Sequence, residues 1–185
     1  MMFDKIEPTG LQMNQTLKSL SNIDNISIRS SINLEKNKLS ISFILVGALE
    51  NYIFPEKSKQ KRADELWKAT SFELFLANSK KEEYYELNFT SSLAWNFYYL
   101  STYRSNVQEV KGLGKPKIEV FQEADVFKII FELETEALLF DGFDIYNLTC
   151  ILKNIQNERT FWSLTRASII PDFHNKKSFF KFKNI

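Results

Sequence analysis

RADELWKATSFELFL, residues 62–76, and YYELNFTSSLAW, residues 84–95, are the stretches whose reading decides the fold. Side chains along a strand point alternately to opposite faces. Phe72, Leu74 and Leu76 then fall on one side of the first segment, with Ser71, Glu73 and Phe75 on the other. The second segment repeats the pattern, with Tyr85, Leu87 and Phe89 as the apolar set and Tyr84, Glu86 and Asn88 opposite. The intervening NSKKEE has the composition of a hairpin connection. With the faces in register, the apolar sets enter a core while Glu73, Glu86 and Asn88 converge on one polar surface. Such a cluster is either a functional acidic site or a solvated sheet face, since like charges on adjacent strands cost stability unless something compensates.

Outward from this pair, strand-like alternation recurs at residues 26–32, 39–46, 95–102, 118–122, 126–133, 145–152, 160–166 and 178–182. NLEKNK and QEAD supply two more hairpin connections, which implies antiparallel neighbours. Helical spacing is confined to short pieces at 12–20 and 135–140. Many short strands without crossover helices predict an all-β, antiparallel two-sheet β-sandwich of jelly-roll or immunoglobulin-like type. The 185 residues suit a single domain spanning 1–185, with 1–25 as an N-terminal lead-in.

Composition narrows the function. Lysine plus arginine number 24 against 23 acidic residues, so no global field attracts nucleic acid or an anionic membrane surface. No segment reaches about 18 apolar residues, and the N-terminus lacks the basic and apolar regions of a signal peptide, so a cytoplasmic location is expected. In that compartment the Asn-x-Ser/Thr triplets at Asn14, Asn25, Asn88 and Asn147 are not glycosylated. Cys150 is the one cysteine, which excludes an internal disulfide and suits a buried small hydrophobe in YNLTCIL. EKSKQKRADE, residues 56–65, reads as a solvated loop, from which Arg62 and Asp64 stand out as a candidate ion pair leading into Trp67.

The ordered residues Arg62, Asp64, Leu66, Trp67, Thr70, Phe72, Glu73, Phe75 and Leu76, then Tyr84-Tyr85-Glu86 and Asn88-Phe89, then Tyr103-Arg104, and finally Pro171-Asp172-Phe173-His174, resemble the bacterial DOMON-like domains related to carbohydrate-binding modules of type 9. The resemblance runs from about Ile26 onward. It implies a β-sandwich and, in the type 9 modules, a sugar clamped between two tryptophans with a glutamate shortly after the first. Trp67 followed by Glu73 is similar in spacing, and Trp162, with Arg166 on the same strand face, is the expected second clamp. Trp95, Tyr103 and Arg104 are expected to add stacking and hydroxyl contacts, and Glu86 and Asn88 to pair with hydroxyls. Asp172 and His174 are expected to cap a turn that positions the last strand.

The expected partner is therefore a small carbohydrate or related polar small molecule, bound without catalysis and without a cofactor. Four alternatives stay open. A glycoside-processing enzyme would use Glu73 and Glu86 as a carboxylate pair. A haem domain would need an axial Met with His or Lys, from Met1, Met2, Met13 and His174. Calcium would draw on Asp141 and Asp144, short of the six to eight oxygens it takes. An exposed apolar patch would favour a protein-interaction role.

Overall fold

A computed structural model describes residues 11–20, 25–35, 37–135, 142–165 and 170–182. Thirteen strands follow one another: β1 Leu11–Ser19, β2 Ile26–Leu34, β3 Lys38–Gly47, β4 Lys61–Arg62, β5 Ser71–Ala77, β6 Tyr84–Phe89, β7 Ala94–Thr102, β8 Ser105–Glu109, β9 Lys117–Gln122, β10 Val126–Glu134, β11 Ile145–Lys153, β12 Arg159–Ser163 and β13 Phe180–Lys181. Among the described residues, helical structure is limited to single 3₁₀ turns at Leu49–Asn51, Leu66–Lys68 and Lys176–Ser178. The chain is all-β.

Two expectations change. The helix expected at 12–20 is strand β1, which pairs with β2 from Leu11 to Leu17 and with β12 at Lys18 and Ser19. Met13 and Leu17 fit helical spacing as well as alternation, and the ladder with β2 decides between them. By switching partners β1 joins the two expected sheets into one continuous sheet, ordered β4-β7-β6-β5-β11-β12-β1-β2-β3-β10-β9. Every pairing is antiparallel except the short β4–β7 contact. The 135–140 piece lies almost wholly outside the described residues.

The sheet curls so that its two halves face each other across one aromatic core. Phe43 of β3 lies 5.1 Å from Phe72 of β5, and Phe131 of β10 lies 5.0 Å from Phe89 of β6, centroid to centroid. Phe72 also stacks with Phe127 at 5.7 Å. This burial is the main source of stability in the fold. The opposite face of β5 and β11 is covered by the C-terminal segment, where Phe173 and Phe179 pack on Phe75. All seven residues of β5 are consequently buried, including Ser71 and Glu73. That covering segment and the outer sheet face enclose the site.

Candidate functional site

Register places the polar side chains in rows across the outer face. Thr149, Glu73, Asn88 and Asn96 form one row on β11, β5, β6 and β7. Asn147, Phe75, Glu86 and Tyr98 form the next. Glu73 and Glu86 are thus diagonal neighbours on adjacent strands, and Glu73 faces Asn88 directly. All three line a cavity of about 550 Å³. Its mouth is bounded by Trp67, Arg159 and Arg104, and one wall by Pro171, Phe173 and His174.

Glu73 is 2% exposed. Its Oε1 accepts from Ser71 Oγ at 3.3 Å and its Oε2 from Thr149 Oγ1 at 3.0 Å. Burial, reinforced by Glu86, pushes its pKa up to about 8 against those two hydrogen bonds and Arg104. Glu73 is therefore largely protonated at neutral pH. Burial also raises Glu86, opposed by Asn88, whose Nδ2 donates to Oε1 at 2.7 Å, and by Arg104. Asn88 Oδ1 is buried without a hydrogen-bond partner.

His174 lines the cavity, and the buried Tyr84 is hydrogen-bonded to it. The backbone N–H of Arg104 donates to Tyr84 Oη at 3.0 Å. Tyr84 is thereby left to donate its own proton to His174 Nδ1, 2.7 Å away. Burial, with Arg104 adding to it and Asp172 opposing, lowers His174 to about 4. The ring is neutral at pH 7 with its proton on Nε2, and the 4.0 Å approach of Nδ1 to Glu86 is no ion pair.

The turn expected at Asp172 and His174 is present: His174 N–H donates to Asp172 Oδ1 at 3.2 Å. The same carboxylate receives Arg104 Nη2 at 3.0 Å and Tyr103 Oη at 2.9 Å. Burial works against ionisation of Asp172, but these two donors hold its pKa below the usual value. Lys176 Nζ donates to the carbonyls of Lys81, Glu82 and Glu83 at 2.7, 2.8 and 3.1 Å. The C-terminal segment is thus tied to both hairpin turns of the site. Arg104 at φ 52° and Glu65 at φ 58° occupy the left-handed region, and both line the cavity. Such residues persist only where their surroundings hold them.

The three tryptophans separate sharply. Trp67, on the 3₁₀ turn Leu66–Lys68, is 41% exposed at the mouth, with Lys68 Nζ and Arg159 Cζ each 5.5 Å from its ring. Trp95 and Trp162 are 4% and 2% exposed and belong to the aromatic core, so neither serves as a stacking platform. On their strands the alternation that puts Phe97 and Leu164 inward puts the indoles inward too, and Trp162 Nε1 is satisfied by Thr160 Oγ1 at 3.0 Å. Tyr103 is 58% exposed but its hydroxyl is committed to Asp172. Arg166 and Asp141 lie outside the described residues. Asp144 is engaged by the N–H of Ser79 at 2.6 Å and by its hydroxyl, an arrangement that closes a turn.

The expected Arg62–Asp64 pair is replaced by a relay through Asn96. Arg62 Nη1 donates to Asn96 Oδ1 at 2.8 Å, and Asn96 Nδ2 donates to Asp64 at 3.1 Å. Arg62 lies 4.2 Å above the Trp95 ring and 3.6 Å from Glu109, while Asp64 also takes the Tyr98 hydroxyl at 2.6 Å. Both residues therefore brace the loop that carries Trp67. Arg159, Phe161 and Tyr98 were not expected at the site, although the alternation of RTFWS, with Trp162 inward, turns Arg159 and Phe161 toward the cavity.

No protein-family model matches the chain, and no curated protein matches it in sequence. Among solved structures, the fold is similar to that of a candidate carbohydrate-binding protein from Bacteroides uniformis, with a TM-score of 0.64 at 12% identity over 90% of this chain and 84% of that one. A family 9 carbohydrate-binding module from Caldicellulosiruptor kristjanssonii aligns less closely. Its complex with cellotriose gives a TM-score of 0.45 at 9% identity over 82% of this chain and 72% of that one. Its complex with glucose gives 0.42 at 10% identity over 78% and 69%. At 12% identity the likeness to the Bacteroides uniformis protein is one of fold.

Proposed function

We propose that the cavity below Trp67 binds a small carbohydrate or a related polyhydroxylated molecule. The observation that carries this reading is a half-open indole set over a floor of buried acceptors. A pyranose offers C–H groups for the indole face and hydroxyls for Glu86, Asn88 and Glu73. The cavity volume is within the usual range for small-molecule sites. The Bacteroides uniformis protein of similar fold is itself described as a candidate carbohydrate binder, which agrees with the reading.

Isothermal titration of the wild type with a panel of mono- and disaccharides is expected to show heat for at least one member. Trp67→Ala should weaken that binding at least about tenfold, as loss of a stacking platform worth about 1.4 kcal/mol or more requires. The absence of heat with every sugar would overturn the proposal.

A further inference from the structure

The floor of the cavity has an excess of acceptors over donors. Asn88 Nδ2 is used by Glu86, the Tyr84 proton by His174, and the Ser71 and Thr149 hydroxyls by Glu73. What remains at the floor is the Glu86 carboxylate, the Glu73 carboxyl group with its single proton, and the buried Asn88 Oδ1. Asn88 is 2% exposed, lines the cavity, and its Oδ1 has no partner. Two carboxyl groups on adjacent strands with no cation bonded to either is an arrangement that a ligand's positive charge completes. Arg104 lies close enough to act on both, but its guanidinium is hydrogen-bonded to Asp172. His174, the remaining basic group at the floor, is neutral. Tyr84, Tyr98, Asp64, Glu65 and the buried Cys150 supply no positive charge, and Arg159, the other cation lining the cavity, lies at the mouth with its guanidinium 5.5 Å from the Trp67 ring.

We propose that the ligand is an amino sugar, with its ring against Trp67 and its protonated amine seated among Glu73, Glu86 and Asn88 Oδ1. This rests on the carbohydrate reading of the same cavity. An ammonium has three donors and no acceptor, which suits three acceptors at one point better than a hydroxyl does. Because Glu73 is largely protonated in the free protein, seating a cation displaces its proton to solvent: the Glu73 O–H bond breaks, and the carboxylate pairs with the ammonium.

Glucosamine, glucose and N-acetylglucosamine distinguish the outcomes. A sugar amine resembles an α-amino group, with a pKa of about 7.7–8.0, and is charged at about pH 6.5. Calorimetry there is expected to show glucosamine binding about tenfold or more tighter than glucose, with N-acetylglucosamine, which has the same ring and no charge, no better than glucose. Repeating the glucosamine titration in buffers of different ionisation enthalpy should reveal proton release. Glu86→Gln should bring the glucosamine and glucose affinities together. Glucose or N-acetylglucosamine binding as well as glucosamine would overturn the amine assignment and leave the carbohydrate reading standing. Glucosamine binding without proton release would overturn its placement at Glu73. No binding by any of the three with heat from another neutral sugar would overturn the amine assignment alone, and silence from every sugar would overturn both.

Discussion

Glu73→Gln is expected to stabilise the protein by about 2–4 kcal/mol at about pH 8, and to lie within about 1 kcal/mol of the wild type at about pH 5. The folded-state pKa of Glu73 is about 8, against a reference value of 4.5. Between those values the folded protein holds a proton that the unfolded chain has lost, so stability falls as pH rises through the window. His174 acts in the opposite sense. Its pKa falls from 6.5 to about 4 on folding, so the unfolded chain binds the extra proton and stability climbs from about pH 4 to 6.5. The two slopes oppose each other at acid pH, and the Glu73 decline is unmasked above about 6.5. Glutamine keeps the shape of the protonated acid and can still bond to the Ser71 and Thr149 hydroxyls, so it removes the decline. Urea unfolding of both proteins at the two pH values measures this. Parallel pH dependence would mean that Glu73 is ionised in the folded protein and that its charge is already compensated.

The tryptophans give the second large effect. Trp162→Ala should cost about 3–5 kcal/mol of stability, the range for emptying an aromatic site in a close-packed core, and Trp95→Ala should behave likewise. Trp162 is 2% exposed and its indole N–H is bonded to Thr160. Trp67→Ala removes a ring at the cavity mouth and should cost less than about 1 kcal/mol. Denaturant midpoints of the three variants test the separation. A Trp67 variant as unstable as the Trp162 variant would make Trp67 a structural residue.

Alternation made ten of the strands legible in the sequence, β5 and β6 among them. Strand β1 was hidden because Met13 and Leu17 also fit a helical spacing and Gln15 interrupts the apolar alternation between them. Strands β4 and β8 carry no pattern: β4 is two residues long, and SNVQE of β8 is a largely exposed edge with no apolar face. The meeting of Glu73, Glu86 and Asn88 was legible for a simple reason, that period two fixes the face once a hairpin fixes the register. Trp95 and Trp162 were misread because a tryptophan suggests a clamp by its chemistry, whereas the parity it shares with Phe97 and Leu164 places it inside. The second wall of the cavity was not legible, since the contact of Asp172 with Arg104 joins residues far apart in sequence across elements that no local pattern links.

Collisional quenching of tryptophan fluorescence by acrylamide, with and without saccharide, tests the central claim most directly. Of the three tryptophans, Trp67 is 41% exposed while Trp95 and Trp162 are 4% and 2% exposed, so quenching reports on Trp67. A saccharide seated on the indole should lower the quenching constant toward that of the Trp67→Phe variant. Saccharide binding detected by calorimetry with quenching unchanged, or no saccharide altering the quenching at all, would contradict a sugar site at Trp67.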